Sequence, residues 1–302
     1  ATVRVDGGTI HVVTDDVNWM LSTDTGFISD WDHRGSPLIA DALSDCFVRA
    51  PIDNDICSSE VDNPSPDAWL AAWQKAGLFD LEHHCQSVDV RGNVVVSKHE
   101  YRALGRVLIR SQWTHRFDAD GAVNIDVDVS KEISDLPLPR VGARLLLTQK
   151  PQSVTWIGRG PHENYPDRKQ SADLGIWCLS RQAMQTPYIF PSENGLRCDA
   201  QLAQVGQIQV ERVKGSFAFS VSDFGVESLM SAQHTHERLE QQSLHLHVDG
   251  FHMGVGGDDS WTPSTRPEYL LGAKQFSWSF RLSVKSDSHP LESLANTRPT
   301  GQ

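Results

Sequence analysis

The chain lacks any apolar run approaching the roughly 18 to 20 residues of a membrane-spanning helix, and its opening "ATVRVDGG" lacks the charged-then-apolar form of a signal peptide. A start at Ala rather than Met suggests a trimmed chain or a piece of a longer one. Positive charge is in deficit: 27 Lys and Arg against 39 Asp and Glu give a formal net charge of −12. Such a chain repels polyanions, which sets aside nucleic acid and anionic membrane surfaces as partners. The five cysteines (Cys46, Cys57, Cys85, Cys178, Cys198) are odd in number and never spaced C-x-x-C. They read as buried or unreactive thiols of a reduced, cytoplasmic protein. Helical periodicity is absent from most of the chain, and that excludes a barrel of eight βα units.

What is present is alternation. With 302 residues, 39% of them hydrophobic, the chain can bury a sizeable core without disulfide or metal staples. Val123, Ile125, Val127 and Val129 alternate with Asn124, Asp126 and Asp128, and Phe276, Trp278, Phe280, Leu282 and Val284 alternate with polar neighbours. This period of two marks strands with one buried face. Val107 to Phe117 reads as a further strand, joined to the 123 strand through the turn "DADG" at 118–121, and Phe217 to Val221 and Leu244 to Val248 complete the clear cases. One helix is expected, capped by Ser65 with Pro66 in its first position, aligning Trp69, Leu70, Trp73 and Ala76 before Gly77 ends it. The expectation is an all-β antiparallel sandwich with one short helix, a single domain over 1–285, and a polar tail over 286–302.

Several motifs offer chemistry. "GFHMGVGGDDSWTPS" at 250–264 crowds glycines, two acids and a tryptophan between two strands. It is a poor phosphate loop, because no helix follows the glycines to meet the phosphates. "GRGPHENYPDR" at 158–168 fails likewise, since Pro161 and Pro166 forbid a long helix. His245 and His247 share one face of a strand, a spacing that suits a metal; with Leu244, Leu246 and Val248 buried opposite, the pair reads as lying on the wet side and ligating nothing. No metal site is assigned. Loop carboxylates abound: Asp53, Asp55, Glu163, Asp167, Glu193, Asp258 and Asp259. Any two could in principle serve a glycosidase, but an acid in a Pro- and Gly-rich loop more often caps a turn. Trp261 sits at a loop tip, where its face could cover the C–H side of a hexose or pack beneath its own loop.

Taken together, "RAPIDND" (49–55), "IGRGPHENYPDR" (157–168), "TPYIFPSENGLR" (186–197) and "DGFHMGVGGDDSW" (249–261) closely resemble, in this order, the C-terminal domain of the large bacterial β-galactosidases of glycoside hydrolase family 2. That domain is a separate small chain in two-subunit forms. The resemblance implies a β-supersandwich like that of galactose mutarotase, which follows a TIM barrel carrying the two catalytic glutamates. It implies that this chain has no catalytic residue and no cofactor of its own, the barrel being similar to Mg- and Na-dependent enzymes. Trp261 would line the subsite for the aglycone or acceptor sugar, with Asp258 and Asp259 fixing its loop and Arg49, Asp53, Asn54 and Arg168 tying the surrounding loops. The partners implied are the barrel portion or large subunit, a β-galactoside such as lactose, and further copies in an oligomer. Two other readings stand beside it. One is a free-standing aldose epimerase using His162 and Glu163; the other is a non-catalytic carbohydrate-binding or structural module.

Overall fold

The computed structural model describes residues 1–58, 62–133, 135–259 and 261–285; the expected tail over 286–302 lies outside them. Among the described residues the strands form three antiparallel sheets. The first is a five-stranded meander from Thr2 to Pro37. The second has nine strands, in the order Asp173–Ser180, Ser153–Gly160, Leu202–Val205, Ile208–Arg212, Gln275–Val284, Val123–Lys131, Arg106–Phe117, Val94–Ala103 and Glu82–Arg91. The third runs Arg197–Ala200, Phe217–Ser222, Leu244–His252, Arg140–Leu147, Ile39–Cys46.

The alternating segments are strands, as their period demands. Val123, Ile125, Val127 and Val129 point into the core, and the 118–121 turn joins the hairpin, with Gly121 at φ +84°. One hydrophobic core extends from Ile10 to Leu282. Trp19 and Trp31 of the first sheet stack at 4.2 Å, Trp19 also meets Phe117 of the second at 6.0 Å, and Trp156 meets Phe219 of the third edge-on. A buried carboxylate joins two sheets. Asp45, on the third, accepts bonds from Tyr101 Oη (2.7 Å), Ser111 Oγ (2.5 Å) and Trp113 Nε1 (3.0 Å) of the second.

The helix is present but starts later than the sequence suggested, at Trp69–Ala76. Ser65 closes a separate turn, its carbonyl taking the N–H of Ala68 at 2.9 Å, and extended Ala68 then caps the helix. Gly77, at φ +79°, ends it as expected. Leu70, Trp73 and Ala76 are buried, and Trp73 Nε1 donates to the carbonyl of Pro137. Two shorter helices, Asp53–Ile56 and Val226–Ser231, carry no amphipathic period long enough to read.

The reading of His245 and His247 as solvent-facing is overturned, for each is only 5% exposed. Their strand is the middle one of the third sheet and is covered on both faces. Near His245 the cover is the segment at Gly225 and Gln241, whose Oε1 lies 2.9 Å from His245 Nε2.

Candidate functional site

The outer face of the third sheet carries a buried polar layer. Arg140, fully buried, donates to Asp249 (3.1 Å) and to Glu193 (3.1 Å), and Tyr165 Oη reaches Glu193 as well. Burial raises Asp249 to about 7 despite Arg140, and it raises Glu193 as well. Over this layer opens a cleft of about 640 Å³. One wall is the 255–259 loop, the opposite wall is Tyr188 to Phe190, and Asn54, Tyr165 and Glu193 lie between them.

The loop bearing Trp261 is held through its backbone. Arg49, fully buried, grips Asp55 with two bonds (2.7 and 3.0 Å) and turns its remaining N–H groups to the carbonyls of Met253 and Gly254, each at 3.1 Å. Asp167 takes the next two amides, Val255 N at 3.1 Å and Gly256 N at 2.7 Å. Asn54 Nδ2 donates to the carbonyl of Val255, and Thr265 Oγ1 to that of Gly256. Every backbone polar group from Met253 to Gly256 is thereby satisfied, since the amides of Met253 and Gly254 bond to Pro139 and Tyr269.

The glycines of this stretch serve close approach rather than left-handed turns: none of Gly250, Gly254, Gly256 or Gly257 has a positive φ. A Cβ on Gly254 would lie 2.6 Å from Asp167 Oδ2, and one on Gly257 or Gly250 would run into Ser264 or Trp278. Beyond them Asp259 shapes the tip. Its Oδ1 accepts the amides of Trp261 (3.0 Å) and Thr262 (2.8 Å), and these bonds hold its carboxyl below the ordinary range. Trp261 itself is 74% exposed, so it is not packed beneath its loop.

The other expected supports divide. Asn54 and Arg49 reach the loop as described. Arg168 binds the opposite wall, donating to Glu163 (2.5 Å) and Tyr188 Oη (3.2 Å). Asp258 only faces Arg266 at 3.7 Å across solvent. Asp53 does not support the loop: it occupies the exposed first position of the helix, and the clamp is made by Asp55, two residues on, whose side chain turns inward. Asp55 and Asp167 stood among the loop acids of the sequence without a distinguishing mark. Arg140 and Asp249 had a weak signal, each a charge inside an apolar strand, where buried charges must pair. His162 and Glu163 form no acid–base pair, since His162 Nε2 is turned to Ser171 Oγ (3.0 Å) and Glu163 is engaged by Arg168, Tyr188 and the amide of Gly195.

Comparison with protein-family models matches the beta-galactosidase small chain over residues 13–282. The chain belongs to that family. A β-galactosidase of Aeromonas hydrophila is 43% identical to this small chain over 267 residues, which are 86% of the chain and 26% of the relative. Those of Klebsiella pneumoniae and Vibrio cholerae are 42% and 40% identical, over 89% and 94% of the chain. The small chain spans about a quarter of the length of the curated relatives it matches. Solved structures of similar shape include a galactose mutarotase related enzyme from Lactobacillus acidophilus, with TM-score 0.47, 8% identity, and coverage of 92% of this chain and 97% of that one. An aldose epimerase homologue from C. elegans matches with TM-score 0.39 and 9% identity, over 93% of this chain and 99% of that one.

Proposed function

We propose that this small chain completes the active site of a retaining β-galactosidase, with Trp261 lining the subsite for the aglycone or acceptor sugar. The observation that carries the reading is the presentation of Trp261: an indole three-quarters exposed, on a loop whose root is fully bonded, beside an open cleft. An exposed aromatic face can cover the apolar side of a hexose, and a loop bonded at its root presents it with less backbone to order.

The substrate in this reading is a terminal β-galactoside such as lactose. The acid/base and nucleophile carboxylates lie on a barrel outside this chain, so bond cleavage through a galactosyl-enzyme intermediate is the barrel's work. The small chain's own residues bind and orient the leaving sugar. In this reading the cation dependence of the enzyme belongs to the barrel. The assembled enzyme, in the same reading, is cytoplasmic and oligomeric.

The test is a chimera in which this chain replaces the matching part of the Aeromonas hydrophila β-galactosidase. Trp261→Ala should weaken acceptor-sugar binding by roughly fivefold to tenfold, the equivalent of about 1 kcal/mol of lost stacking or somewhat more, and leave galactosyl transfer to the enzyme largely unchanged. Unchanged kinetics across several acceptors would defeat the assignment. The chain alone should not hydrolyse an aryl β-galactoside.

A further inference from the structure

Around the cleft, most charges are already matched. Glu193 is held by Arg140, Glu163 by Arg168, Asp55 by Arg49, and Asp259 by the amides of its own turn. Asp53 is not: its exposed side chain lines the cleft and makes no hydrogen bond or ion pair among the described residues. Asp258 adds a second, loosely paired negative charge on the facing wall. The same cleft is lined by an apolar tip, "PYIF" at 187–190, where Ile189 is 92% exposed. An unmatched carboxylate and a large aliphatic side chain left in water in one cleft mark a surface that suits a partner with a cation and an apolar collar.

We propose that the cleft is the docking site for a loop of the enzyme's catalytic portion that carries an arginine or lysine side chain, the cation pairing with Asp53 while apolar residues of the loop cover Ile189. The proposal rests on the reading of this chain as one part of a larger β-galactosidase, and the curated relatives carry about three-quarters of their length outside the matched region. A second copy of this chain is a poor occupant, because a formal charge of −12 would bring like charge to an anionic mouth. A small cation satisfies Asp53 but leaves Ile189 in water.

The experiment measures association of the chain with the separately produced remainder of the Aeromonas hydrophila β-galactosidase. Asp53→Lys and Ile189→Asp should each weaken binding by about tenfold, and Asp53→Asn should flatten its salt dependence. Leu174→Asp, at an exposed position on the edge strand Asp173–Ser180 of the nine-stranded sheet and outside the lining of the cleft, should bind within about twofold of wild type. A failure of the sugar-subsite reading appears in the acceptor kinetics of the chimera, and a failure of docking appears in affinity. The proposal falls if Asp53→Lys and Ile189→Asp bind as tightly as wild type, if Leu174→Asp weakens binding as much as they do, or if the wild-type chain does not associate.

Discussion

Asp167 and Arg49 act on the Trp261 loop without touching its tryptophan. Asp167 accepts two amides with a charged carboxylate, and a charge-assisted bond contributes more than a neutral one. Asp167→Asn keeps the shape but turns an NH2 toward one of those amides. It should release about 2 kcal/mol of local stability and speed hydrogen exchange at Val255 and Gly256 by roughly thirtyfold, readable by NMR. Exchange no faster than wild type would show that the clamp does not hold the loop. Arg49→Lys fails for a geometric reason, since one ammonium cannot span Asp55 and the carbonyls of Met253 and Gly254 together. Left with a poorly paired buried carboxylate, this variant should lose about 3 kcal/mol by denaturant titration.

At the scale of elements, a strand is legible where one face is wet. Val123–Lys131 announces itself because Asn124, Asp126 and Asp128 stand outside the core between buried valines and isoleucine. Leu244–His252 misleads because its second face is also covered, and what covers it comes from Gly225 and Gln241. Nothing within the strand reports that roof. The Trp261 loop was half legible for a similar reason. Its exposed aromatic and its turn-forming Asp259 are local features, whereas the partners of its root lie about 88 and 205 residues away in sequence. The glycines illustrate the ambiguity best: the same residue type serves a left-handed turn at Gly121 and the approach of a carboxylate at Gly254. Gly254→Ala should therefore cost about 1–3 kcal/mol by overpacking against Asp167, although its backbone is allowed. Calorimetry that finds it neutral would mean the loop can yield.

For the molecule as a whole, burial of ionisable groups sets how stability responds to acid, and the contributions oppose one another. His99 stacks on Phe27 in the core, and burial pushes it down to about 3, while its unfolded value is about 6.5. Its stabilising contribution is present above pH 6.5 and is lost as pH falls toward 3, because only the unfolded chain takes up the proton. Asp45 behaves in reverse. Burial raises it to about 6 against three donors that favour its charge, so its contribution is present below about 3.9 and is lost as pH rises toward 6. Between pH 4 and 6 the two cancel in part, and wild-type stability conceals both. His99→Phe should make stability less sensitive to acid in that window, by up to about 1.4 kcal/mol per pH unit, while Asp45→Asn should make it more sensitive by a similar amount. Asp45→Asn also lowers stability at every pH, since an amide cannot accept three donors as a carboxylate does, so the quantity to compare is the slope. Urea titrations at closely spaced pH values supply it, and slopes that move together in the two variants would contradict the opposed assignment.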